Sequence, residues 1–206
     1  MKGWLKHIIA LLLIVILSTV GFPADAQAID PDKSAKAAAL SDERFIGVSI
    51  ENSEDALFLS QHALKHTNNA RIRDLSQVME EDNTAMLYSM EQLQAAGTGT
   101  SKKKTGGPGS AQRPAVILNN KLASLSGGDF DTTWTSGMVI LQQARYDELV
   151  KAKETVTNTQ LKMAITEAIP LIRKHLTQLR SIQKYLEKLA IQQKKLDAAH
   201  QKRKQQ

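Results

Sequence analysis

One apolar stripe constrains this chain more than anything else in it. Leu161, Ile165, Ala168, Ile172, Leu176 and Leu179 recur at steps of three and four, and Ile182, Leu186, Leu189 and Leu196 carry the pattern on. That spacing puts one side of a helix against a partner. At 1.5 Å per residue, Leu171 to Ala199 alone spans about 42 Å, longer than a bundle of this size can cover, so the last turns are expected to project. Pro170 lies inside the pattern and is expected to kink it.

Three further helical patterns precede this one. Ile46, Ile50, Glu54, Leu57, Gln61 and Leu64 share a face, and Ser53 with Glu54 and Asp55 offers a cap inside that stretch. Asn68-Asn69 breaks it. A second helix from Ala70 to Ala96 carries Ile72, Leu75, Met79, Asn83, Met86, Met90 and Leu93 inward and stops at Gly97. A short amphipathic piece, Val116 to Leu125, ends at Gly127-Gly128. Asp129 or Asp131 is then expected to cap a third long helix bearing Phe130, Trp134, Met138, Leu141, Gln142, Arg145 and Leu149. The fourth starts near Asn158. No strand pattern competes, so the fold expected is an all-α four-helix bundle over residues 42–190, with a basic helical tail over 191–206.

The N-terminus reads as a secretory signal over residues 1–28. Lys2 and Lys6 precede an apolar run from Ile8 to Val20, and Ala26-Gln27-Ala28 fits the small-x-small rule. Cleavage is expected after Ala28, with Ala26 as second choice and an uncleaved anchor as the alternative. The expected location is the periplasm or the outer membrane. Residues 29–41 read as a flexible leader. Residues 97–114, GTGTSKKKTGGPGSAQRP, hold no apolar anchor and read as a disordered basic loop.

Composition removes several chemistries. With no cysteine in 206 residues, disulfides, thiolate metal sites, a cysteine nucleophile and lipidation at cysteine are excluded. No nucleophile elbow, zincin helix, P-loop or dinucleotide fingerprint occurs, and Glu80-Glu81-Asp82 reads as solvated charge. The charge is polarised: residues 30–96 carry 12 acids and 6 bases, a balance of −6, and residues 173–206 carry 10 bases and 2 acids, a balance of +8.

Particular residues then resemble a family. Arg71-Ile72-Arg73-Asp74-Leu75, Met79 to Asn83, Asp129-Phe130-Asp131 with Trp134 and Met138-Val139, and the block Ile169 to Leu176 resemble the bacterial exported family catalogued as domain of unknown function 4142. The resemblance covers about residues 42–190. It implies a ferritin-like four-helix bundle and a role in the cell envelope, envelope stress included. Family members tend to carry histidine where this chain has Asn83 and Gln142; His175 keeps its histidine, and Glu54 is the match for a first-helix glutamate.

An inward layer of Glu54, Asn83, Gln142 and His175 is therefore expected. A di-metal carboxylate site needs two lone carboxylates and two Glu-x-x-His pairs, and no Glu-x-x-His occurs here. A hydrogen-bonded polar layer that fixes helix register is the expectation, with no cofactor. The alternative is a degenerate ferritin-like metal-binding or redox protein using Glu54 and His175. Two lesser metal candidates exist. His62 and His66 stand one turn apart and read foremost as solvated surface histidines; Met79, Met86 and Met90 form a stripe that reads foremost as core filling.

The tail raises a question of partners. Lys184, Lys188, Lys194, Lys195, Lys202, Arg203 and Lys204 accompany its apolar stripe. Such a helix could stay solvated, pair weakly with another copy, or lie on an anionic envelope surface or acidic polysaccharide. Nucleic acid is disfavoured for an exported protein without interleaved aromatics. The function expected is a non-enzymatic binding or structural role.

Overall fold

The structure, a computed structural model, describes residues 31–97 and 113–205. The expected signal peptide and nearly all of the 97–114 loop lie outside the described residues. The chain divides after Ser34, and the bundle is the unit from Ala35 onward.

All the described elements are helices: α1 (Pro31–His66), α2 (Ala70–Gly97), α3 (Pro114–Leu122), α4 (Gly127–Thr155) and α5 (Thr159–Lys204). Side-chain pairs fix their directions. Gln61 Nε2 of α1 donates to Glu80 of α2 at 2.9 Å, and Arg73 of α2 reaches the Leu64 carbonyl of α1. Arg71 of α2 lies over the Tyr185 ring of α5, while Asp82 pairs with His175. Tyr146 and Gln143 of α4 meet Arg173 and Arg180 of α5. Trp134 of α4 donates to the Leu59 carbonyl of α1, and Arg145 of α4 to Ser53 of α1. Each pair is antiparallel, so α1 and α5 run one way and α2 and α4 the other. The connection carrying α3 is the single long crossover.

Two apolar clusters fill the bundle. One holds Leu59, Ile72, Met79, Phe130, Trp134, Met138, Leu179 and Ile182; the other holds Ile46, Met86, Met90, Leu149, Leu161, Ile165 and Ile172. The methionines of α2 are thus divided between the two clusters. Packing α3 down onto α4 depends on Gly137, where an added Cβ would come within 2.5 Å of the Leu118 methyls.

The turn between α4 and α5 is held from α1. Buried Asp42 accepts from the backbone N–H groups of Thr157 (3.1 Å) and Asn158 (2.8 Å) and from the Thr157 hydroxyl (2.8 Å). Asn158 caps α5 by accepting from the Leu161 N–H at 3.0 Å.

Three local expectations are corrected. α1 begins at Pro31, so most of the 29–41 leader is helical; proline suits a first helical turn and the alanines after it favour helix. Ser53 is not a cap: it sits mid-helix and donates to the Ser49 carbonyl at 2.9 Å. Neither Asp129 nor Asp131 caps α4. Ser126 holds the N-cap position without a side-chain bond, Gly127 takes φ +56°, and Asp131 accepts instead from the Thr67 hydroxyl. α5 is one helix through Pro170, 46 residues long, or about 69 Å.

Candidate functional site

Apart from Ile46 and Leu59, the buried face of α1 beyond Asp42 is small: Ser49, Ser53, Ala56, Ser60 and Ala63 are all buried. Serine tolerates this because its hydroxyl can donate to a carbonyl four residues back, as Ser53 and Ser60 do. The inner stripe of α1 is therefore rotated from its expected position, and Glu54 is corrected: it is exposed, and Ser53 takes the inward place. With small side chains on α1, the opposite wall can send in a long one.

That side chain is Arg145 of α4, only 8% exposed. One guanidinium nitrogen donates to Asn83 Oδ1 of α2 at 2.6 Å, and another to Ser53 Oγ of α1 at 2.7 Å, with Met86 Sδ at 3.7 Å. Asn83 in turn donates to the Met79 carbonyl at 2.6 Å. Burial lowers the Arg145 pKa to about 10 against the raising influence of Glu148, so it is still cationic at neutral pH.

His175 of α5 is fully buried, and its Nε2 lies 2.8 Å from Asp82 Oδ2. Burial lowers its pKa; the hydrogen bond and charge of Asp82 oppose this, while Arg145 and Lys174 reinforce it. The pair at neutral pH is thus a neutral imidazole whose Nε2–H donates to a carboxylate, leaving buried Nδ1 without a protein partner. Asp82 is no solvated bystander, contrary to the expectation for the acidic run.

Gln142, 1% exposed, lines a cavity of about 40 Å³ with Asn52, Asp55, Met138, Leu141 and Arg145 among its walls. Its Oε1 has no protein partner, and the space suits one or a few waters. Arg113, at the start of α3, pairs with Asp55 (2.9 Å) and Glu51 (3.5 Å). Burial raises the Asp55 pKa, Arg113 opposes it, and Glu51 and Glu54 add to the rise.

Asn83, Gln142 and His175 are thus buried, while Glu54 is not with them. This donor set does not fit a di-metal carboxylate centre. The positions hold two amides, a hydroxyl and an imidazole already bonded to Asp82, and a guanidinium stands among them. Among the described residues, no three His, Asp or Glu side chains come close enough to hold a metal ion. His62 and His66 lie apart, with ring centroids 4.4 Å from one another. Met79, Met86 and Met90 are buried in the two apolar clusters. Of the tail cations, Lys184, Lys188, Lys194, Lys195, Lys202, Arg203 and Lys204 are all exposed. Nothing in the sequence singles out Asp42, while Ser53 and Asp82 read there as a cap and as solvated charge; the small-residue spacing along α1 is the available signal for the inward place of Ser53.

Fold and site define an all-α bundle whose middle is a polar layer organised by a buried arginine. The chain belongs to the DUF4142 family: that family model, described as a domain of unknown function, matches residues 27–182. Two solved structures share the fold. CopM in its Cu(II)-bound form is 14% identical, with a TM-score of 0.61 over 70% of this chain and 96% of that one. A DUF305 fragment from Deinococcus radiodurans is 13% identical, with a TM-score of 0.60 over 71% of this chain and 95% of that one. No curated protein matches the chain.

Proposed function

We propose that this is a non-enzymatic helical-bundle protein of the cell envelope, and that it works by binding through the projecting basic end of α5. The observation that carries this is a seam whose cover runs out. Leu161, Ile165, Ala168, Ile172, His175, Leu179, Ile182 and Leu186 alternate by steps of four and three, and each is at most 8% exposed. Leu189 and Leu196 continue the same seam in phase, yet they are 41% and 55% exposed. About 27 Å of helix follows Leu186. Lys184, Lys188, Lys195 and Lys202 fall on the side opposite the seam. An uncovered apolar seam on an isolated helix is only marginally stable, which favours a partner.

The partner that fits best is a second copy of the chain. Glu43, Glu54, Asp74, Glu81 and Glu91 are exposed on α1 and α2, so one molecule's acidic helices complement another's basic tail. An anionic envelope surface or an acidic polysaccharide satisfies the same charges. Light scattering of the full chain and of a chain ending at Lys188, at low and high salt, tests this. Salt-sensitive association is expected for the first and none for the second, with the bundle still folded. A full chain that stays monomeric at every salt concentration rejects self-association.

The likeness to CopM raises metal binding as a second reading for the bundle centre. At 14% identity it is a likeness of fold. The buried Arg145 guanidinium, held by Asn83 and Ser53, argues against it, because a fixed cation disfavours a second one nearby.

A further inference from the structure

We propose that His62 and His66 form a bidentate site for a divalent transition-metal ion, Cu(II) foremost, on the flank of α1 and separate from the polar layer. Two histidines one helical turn apart are common enough on surfaces; what distinguishes this pair is how it is held.

Their ring centroids are 4.4 Å apart at an interplanar angle of 73°. A ring nitrogen lies about 1.1 Å from its centroid and a metal–nitrogen bond is about 2.0 Å, so two imidazoles at right angles on one ion have centroids about 4.4 Å apart. The 4.4 Å ring spacing thus matches that of two cis imidazoles on a tetragonal ion. Imidazole nitrogens in that geometry suit Cu(II), which also stands highest in the affinity order of the first-row divalent metals.

The first imidazole is positioned by a second element. His62 Nδ1 lies 3.0 Å from Asn119 Oδ1 of α3. An amide oxygen only accepts, so Nδ1 carries the hydrogen and the Nε2 lone pair is left for a metal. A bond of this kind to the far nitrogen fixes tautomer and ring orientation in metal-ligating histidines. Phe130 of α4, fully buried, lies 5.7 Å from the His62 ring and 5.8 Å from the His66 ring, so one aromatic side chain backs both imidazoles. His66 is exposed and His62 half-buried, so an ion can reach them from solvent.

With two nitrogens supplied by the protein, water completes the coordination. Such a site takes up an ion reversibly and does not depend on the role of the tail.

The test is titration of the untagged full chain with copper(II) sulfate, followed by calorimetry and by electron paramagnetic resonance. The expected result is one Cu(II) per chain with a two-nitrogen spectrum. His62→Gln and His66→Gln should each weaken binding about tenfold or more, and Asn119→Ala, which keeps both ligands, about 10- to 100-fold. His200→Gln, in the tail, should leave it unchanged. Circular dichroism melts show that each variant stays folded. Failure of the parent chain to bind Cu(II), or binding by the His62→Gln/His66→Gln double variant equal to the parent's, overturns the site. Unchanged affinity in Asn119→Ala overturns the positioning by Asn119.

Discussion

At the scale of single residues, the bundle is organised by one cation that has replaced apolar packing. Arg145 spends its hydrogen bonds on Asn83 and Ser53 inside the layer. Removing it leaves Asn83 Oδ1 without its donor and opens a cavity. Arg145→Ala should therefore cost about 3–5 kcal/mol in urea denaturation. Arg145→Met with Asn83→Leu, which removes the polar requirement together with the cation, should regain most of that loss. Loss of stability by the double variant equal to that of Arg145→Ala would show that the layer's polarity itself holds the fold. His175 sets a pH dependence. Its folded pKa lies below the unfolded value of about 6.5, so below that value the unfolded chain binds the extra proton more readily. Stability from this group is complete above the unfolded pKa and falls as pH drops through and below it. His62, shifted the same way, adds to the slope. Thermal melts between pH 8 and about 5 should show the decline, and His175→Gln should flatten it. A slope unchanged in His175→Gln assigns the dependence to other groups.

At the scale of elements, what could be read in advance depended on how each helix marks its inner side. α2, α4 and α5 mark it with large apolar side chains, and Ile72, Trp134 and Ile172 sit where their spacing places them, fully buried. α1 marks it with only Ile46 and Leu59 as large apolar residues and otherwise with alanine and serine, and the serines read as outward on polarity alone. The Ser53 and Ser60 hydroxyls bond within their own helix, and that local pairing is what the spacing of apolar residues could not reveal. Asn158 was legible as a cap because its side chain acts on its own helix. Asp42, Asp82, Asp131 and Asn119 act across elements distant in sequence, and no local pattern announces them. Asp42 shows how much such a residue can hold. Asp42→Ala leaves two backbone N–H groups at the α4–α5 turn without their acceptor, and should cost about 2–3 kcal/mol, measured by denaturant unfolding. A loss well under 1 kcal/mol would mean that water replaces the carboxylate.

At the scale of the whole molecule, the architecture joins two antiparallel pairs, α1 with α2 and α4 with α5, through the one long connection that contains α3. Family membership and the all-helical fold were both within reach of the sequence; the middle of the bundle was not, because it depends on which way α1 is rotated. The Asp42 clamp has a consequence in time as well as in stability. The α4–α5 pair is closed by only a three-residue turn, Val156 to Asn158, so its ends meet at little entropic cost. Docking of α1 onto that turn must wait for a far longer stretch of chain to close. The clamp therefore belongs to the late side of the folding barrier. In stopped-flow experiments followed through the buried Trp134, Asp42→Ala should speed unfolding and leave the refolding rate nearly unchanged. If refolding slows by the full loss of stability, the clamp is instead part of the nucleus. On the expected ordering, α1 is the helix that lets go first, and the lifetime of the folded state is set by one aspartate gripping a turn 115 residues further along the chain.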